Sequence, residues 1–344
     1  MLINENKLDH WVRGDAEDAQ GVIVELTERL LSASCPNALE MRFPRRDSIG
    51  QPGHDGVLVT DLPFPPFVPK GRSVWAIGTG DAPRKATEDY KVSTRQESAT
   101  TRRKTSFVFV TPLSGRKGWT QGAQATWRNR RRAKREWKDV RVIDGTQLIA
   151  WLDKLRSVEL WLAQEMGVPS KDIEALEQHW AILTTIGSPP PLPTSVFLAN
   201  RDSATARLRD LFAGTISQLE IGTHYPDQVV PFVSSYVASL PDDRRREVNG
   251  RSLIIKSAAA WKAVMDLPRH VLVADFDVEL QAAPSDMLLQ RAKNVGHSVI
   301  YGGPPGGPPF PNTNSLPAPS VAQVKGAARA RSKRGAGRGG RRRA

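Results

Sequence analysis

Cysteine is nearly missing, with Cys35 the single one in 344 residues. That excludes an intramolecular disulfide framework and argues against a cysteine-based zinc site. Long apolar runs are missing too, none approaching the roughly 20 residues that span a bilayer. The opening residues, Met1-Leu2-Ile3-Asn4-Glu5-Asn6-Lys7, lack a basic segment followed by an apolar stretch. No secretory signal is read, and a cytoplasmic location is expected. Acids are outnumbered, 36 against 49 Lys and Arg, which leaves a formal charge of +13. From Lys325 onward nine basic residues stand without an acid, so the rest of the chain carries only +4 (13 − 9). What is present suffices for a core: hydrophobic content is 39% with nine Trp, and the length suits two domains.

Between Gly53 and Tyr90, two short apolar runs are set off by Gly and Pro. The first is Gly53-His54-Asp55-Gly56-Val57-Leu58-Val59 and the second Arg72-Ser73-Val74-Trp75-Ala76-Ile77-Gly78. They read as two strands joined by a loop, with a helix beginning near Lys85. Upstream, Val22, Ile23, Leu26, Leu30 and Leu31 form an apolar stripe that predicts an amphipathic helix over 16–33. Further strands are expected over 39–43, 105–111 and 138–144, the second dense in β-branched and aromatic residues. Helices are expected over 145–155 and 158–166.

A helix, a three-strand meander, a helix and more strands, in that order, resemble the αβββαβ core of the restriction-endonuclease-like nucleases, the PD-(D/E)xK superfamily. The likeness extends over Phe107-Val108-Phe109-Val110-Thr111-Pro112, Trp137 to Asp144, Leu148 to Leu152 and Leu160 to Gly167. More specifically, it resembles the nuclease domain that opens large bacterial defence proteins and continues into a signal-transduction ATPase-like region. The resemblance implies an α/β fold, Mg²⁺-dependent DNA cleavage, a DNA partner, an anti-phage role and, for double-strand cutting, a homodimer. It places the first metal-binding carboxylate at Asp55. The second belongs on the next strand, where the family carries Trp-Glu-Ile-Gly and this chain has Ala76. Two converging carboxylates are what hold Mg²⁺ so that it polarises phosphate and acidifies water. With a methyl group at position 76, cleavage is expected to be impaired. A non-catalytic nucleic-acid-binding or sensor protein is the alternative.

Other candidates follow from the same likeness. Gly78 stands where the family has its lysine, and Lys85, then Lys91, is expected to supply that cation from the following helix. Glu88 or Asp89 is a candidate for the missing carboxylate. Glu25 is a candidate for an additional one, against a plainer reading as a solvent-facing helix residue. His54 reads as a general base or, more plainly, as a strand-edge histidine. His224, His270 and His297 show no metal-ligand spacing.

Arg128, Arg130, Arg131, Arg132, Lys134 and Arg135 form a basic block interleaved with Trp119, Trp127 and Trp137. Such density supplies phosphate contacts and counterion release, so these six are the expected nucleic-acid-binding residues. Residues 1–170 are expected to form the nuclease-like domain and 171–195 a helix and Pro-rich linker. Residues 196–310 are expected to form a smaller α/β, incomplete P-loop-like unit with parallel strands near 219–221, 253–255, 271–275 and 296–301. No Gly-x-x-x-x-Gly-Lys-Ser/Thr loop occurs there, so ATP is not expected as a ligand. Residues 311–344 are Ala/Gly/Arg-rich and expected to be disordered, as if a full ATPase module had been cut short.

Overall fold

The computed structural model describes residues 2–14, 16–44, 54–115, 118–168, 170–185, 193–223, 225–275, 285–303 and 313–316. The hinge residues 188–192, His224, Gly53 and, of the stretch 311–344 expected to be disordered, all but 313–316 lie outside them; residues 313–315 form a strand instead. The chain is α/β and divides into two compact units, Met1–Pro169 and Ser170–Ala344. No helix among the described residues is long and apolar enough to cross a membrane.

The first unit runs α1 (Glu5–Gly14), α2 (Ala16–Ser34), β1 (Glu40–Arg42), β2 (Gly56–Thr60), β3 (Gly71–Ile77), α3 (Ala82–Gln96), α4 (Ala99–Arg102) and β4 (Thr105–Val110). It ends with α5 (Gln121–Ala133), β5 (Asp139–Ile143), α6 (Gly145–Leu152) and α7 (Arg156–Glu165). The five strands pair in chain order, β1-β2-β3 antiparallel and β3-β4-β5 parallel. Strand alternation divides β3 between two cores. Trp75 and Ile77 join the α1, α2, α6 and α7 side with Leu26, Leu30 and Trp151. Val74 and Ala76 join the α3 and α5 side with Ala82, Ala86, Tyr90, Phe107 and Phe109. This period-2 division is why Val74 to Ile77 of β3 and Phe107 to Val110 of β4 are apolar at consecutive positions. On the first face Phe67 stacks on Trp151 with centroids 5.0 Å apart. Trp151 is fully buried and donates its indole N–H to Ser34 Oγ at 2.9 Å. Truncating it to alanine would cost about 3–5 kcal/mol.

Polar side chains fix the helix starts. Asp144 accepts from Gln147 N at 3.1 Å to cap α6, and Thr120 accepts from Ala123 N at 3.3 Å to cap α5.

The second unit comprises β6 (Ile173–Glu174), α8 (Leu176–Thr185), α9 (Thr194–Leu198), α10 (Asp202–Phe212), β7 (Gln218–Gly222), α11 (Val229–Ala238), α12 (Asp242–Asn249) and β8 (Ser252–Ile255). It continues through α13 (Ala258–Ala263), β9 (Val271–Ala274), α14 (Ser285–Val295), β10 (Ser298–Gly303) and β11 (Thr313–Ser315). Its sheet has the order β11-β7-β10-β9-β8-β6. All pairings are parallel except that of the two-residue edge strand β6 with β8. The expected strands near 219, 253, 271 and 298 are all present, and parallel as the intervening helices require. β6 and α8, within the stretch read as a linker, form part of this unit. Leu219, Ile221, Ile254, Val273 and Ile300 pack with Phe232 and Val233 of α11.

Candidate active site

The β2–β3 ladder ends on the pair Gly56 with Trp75, so the next antiparallel step sets Asp55 across from Ala76. A Cβ at Gly56 would meet the Phe43 ring at 2.1 Å, so a side chain there would have to displace that ring. Asp55 shares the face of Val57, the side covered by α3. Its Oδ2 accepts from Ile77 N at 2.6 Å. From the other side Gln20 of α2 clamps the two peptides that follow. Its Nε2 donates to Ile77 O at 3.1 Å, and its Oε1 accepts from Thr79 N at 3.2 Å and from Thr79 Oγ1 at 2.9 Å. The end of β3 is thus held by one carboxylate and one amide.

α3 starts beside it, with Ala82 and Ala86 packed in the same cluster as Ala76. That registration brings Lys85 over Gly78, where a Cβ would lie 2.6 Å from Lys85 Cγ. Lys85 Nζ donates to Asp89 Oδ1 at 2.8 Å. Asp89 Oδ2 is buried with no hydrogen-bond partner. Burial raises the Asp55 pKa; the Ile77 N–H opposes this, Asp89 adds to it and Lys85 opposes it. Burial likewise raises Asp89, against the Lys85 hydrogen bond and charge. For Lys85, burial works to lower the pKa, but the Asp89 hydrogen bond and the charges of Asp89, Asp55 and Glu88 outweigh it and leave the pKa raised. The three side chains form one electrostatic unit.

The remaining candidates lie elsewhere. Glu88 is exposed and pairs with Arg84 at 2.9 Å, so of the two helix carboxylates it is Asp89 that joins Asp55. Lys91 is exposed. Glu25 pairs with Arg29 at 2.8 Å, one turn along α2. His54 is tied between Ser93 Oγ and Glu97 Oε1, each at 3.2 Å. Burial lowers its pKa, with Glu97 opposing. It joins the start of β2 to the end of α3. Gln20 was not singled out in the sequence because nothing in an amphipathic helix marks one glutamine.

The basic block divides into roles. Arg131 lies over the Trp127 ring at 4.3 Å and donates to Thr87 Oγ1 at 3.3 Å, which makes it part of the α3–α5 packing. Arg132 pairs with Asp139 at 2.7 Å. Arg130, Lys134 and Arg135 are exposed, and Arg128 is half-buried. Trp119, Trp127 and Trp137 are all buried in the core, which leaves none of their ring faces to stack on bases.

In the second unit His270 and His297 are neighbours, His270 N donating to His297 Nδ1 at 3.1 Å. Burial pushes the His270 pKa down to about 4. At the carboxyl ends of the parallel strands, Glu174 holds Lys256 at 2.7 Å and His179 at 3.6 Å.

No family model, curated protein or solved structure matches this chain.

Among the described residues no group of three or more His, Cys, Asp or Glu is placed to hold a metal ion. The donor set does not fit a closed protein cage. A hydrated Mg²⁺ asks for only one or two carboxylates and keeps several waters, and Asp55 and Asp89 are the carboxylates that interact at this end of β3. The buried, unpartnered Asp89 Oδ2 is the kind of atom such an ion satisfies.

Proposed function

We propose that the first unit is a DNA-binding domain of the restriction-endonuclease-like class with an attenuated phosphodiesterase site. The placement of Asp55 across from Ala76, with Lys85 lying over Gly78, carries this reading. Asp55 and Asp89 would hold the ion. When bound, it would supply Lewis acidity and a more acidic water. Lys85 would place its ammonium against a non-bridging phosphate oxygen and stabilise charge developing there. Gln20 and the Ile77 peptide would keep Asp55 aimed. The exposed Arg130, Lys134 and Arg135 would contact the backbone of the nucleic acid. A bacterial defence role fits such a nuclease.

Attenuation follows from the same geometry. Ala76 cannot ligate, and Asp89 is engaged by Lys85, so the ion would compete with an ammonium for its second carboxylate. That engagement is also what favours the second reading, a domain that binds nucleic acid without cutting it.

Titration of Mn²⁺, followed by loss of its free electron paramagnetic resonance signal, tests the site. A single weak site is expected in the full chain, lost in Asp55→Asn and in Asp89→Asn. No binding, or binding that survives both substitutions, would remove the metal from this account.

A further inference from the structure

On the first unit, beside β5 and away from Asp55, lies a cavity of about 510 Å³. One wall is the loop 63–69, rigid with prolines, and the others come from α5, β5 and the start of α6. Lys70, Arg128, Arg132 and Arg141 line it with one carboxylate, Asp139, so the lining carries a net +3 (4 − 1). The arginines are held rather than loose. Asp139 binds Arg132 at 2.7 Å and Arg141 at 2.9 Å, and Arg141 also donates to Pro66 O at 3.1 Å.

Two of the lining residues each carry a buried polar atom without a partner: Arg128 its Nε, a donor, and Gln147 its Oε1, an acceptor. Buried polar groups in native proteins are satisfied by protein, water or ligand. The size lies in the range of small-ligand sites, which combine apolar walls with a few placed polar groups. The ligand must be anionic to suit the charge. It must offer an acceptor to Arg128 and a donor to Gln147, and it needs an apolar body for the proline wall. Inorganic phosphate alone lacks that body.

We infer that this cavity is a binding site for a nucleoside phosphate, with the phosphate among Lys70, Arg128 and Arg141 and the sugar or base towards Gln147 and the prolines. This does not rest on the nuclease reading. Two sources share the chemistry, a free nucleotide and the 5′-phosphorylated end of a strand.

The test is calorimetry on the full chain with each of the common nucleoside monophosphates, adenosine and inorganic phosphate. At least one monophosphate is expected to bind, with adenosine and phosphate roughly tenfold weaker or worse. Arg128→Ala should weaken binding roughly tenfold. Lys70→Ala, an exposed residue at the rim whose loss should leave folding intact, should weaken it severalfold. Displacement of the monophosphate by a 5′-phosphorylated but not a 5′-hydroxyl oligonucleotide would uphold the site with a strand end as source. Failure of both to displace it would uphold the site with a free nucleotide. Absence of monophosphate binding, or unchanged binding in folded Arg128→Ala and Lys70→Ala, would overturn the proposal.

Discussion

Lys85 fills the space a side chain at Gly78 would need, its Cγ only 2.6 Å from a Cβ built there. A contact so near the root of the lysine cannot be relieved by swinging its tip. Gly78→Ala should therefore push the lysine stem off β3 and loosen the 2.8 Å pair with Asp89. Overpacking of this kind costs about 1–3 kcal/mol. In a Lys85→Ala background the same substitution should cost much less, so a double-mutant cycle in urea should show coupling. Strictly additive effects would mean that the two positions do not compete.

Asp55 and Asp89 are both held with raised pKa values by burial. The folded state thus binds protons more tightly than the unfolded chain at these carboxyls. Their contribution is favourable below the ordinary carboxylate pKa and is lost as pH rises through the raised values. At neutral pH each ionised carboxylate destabilises the fold. Asp89→Asn should accordingly melt above the unmodified chain at pH 7, with the gap narrowing as pH falls towards 4. A gap constant across that range would contradict the burial argument.

Much of the first unit was legible because its strands announce themselves. Phe107 to Val110 and Val74 to Ile77 are apolar runs that read as strands, whereas Asp55 was singled out by the likeness to the nuclease family and not by its place before one. What the sequence could not show was depth. Asp89 and Glu88 are adjacent in the chain, yet α3 packing leaves one half-buried and interacting with Asp55 and the other in solvent. The basic block has the same lesson, since Arg131 is spent on packing while Arg130 is exposed. β6 escaped notice because two residues carry no periodicity.

Arg135 adopts φ +55°, in the left-handed region, just past the end of α5. A side chain there costs about 1 kcal/mol relative to glycine. Arg135→Gly should raise the melting temperature while removing one cation from the proposed nucleic-acid face. A fall in melting temperature would show that the arginine makes a stabilising contact worth more than the strain.

Arg130, Lys134 and Arg135 present charge without aromatic stacking. Replacing all three with alanine should weaken duplex DNA binding and reduce the salt slope by up to about 3, roughly 0.9 per phosphate contact. Trp127→Phe should lower stability and leave that slope alone, because Trp127 is buried and bonded to Thr87 at 3.0 Å. Fluorescence anisotropy across a salt series reads both. An unchanged slope in the triple variant would place the nucleic-acid face elsewhere.

The most direct measurement is plasmid cleavage with Mg²⁺ or Mn²⁺ by the unmodified chain, Ala76→Glu, and each combined with Asp55→Asn. The unmodified chain should cut slowly. Ala76→Glu should cut faster, by up to about 10³-fold for a restored principal ligand, and both should fall silent with Asp55→Asn. If folded, DNA-bound Ala76→Glu cuts no better than the unmodified chain, or if Asp55→Asn leaves cleavage intact, the site assigned to Asp55, Lys85 and Asp89 is not where phosphodiester chemistry occurs.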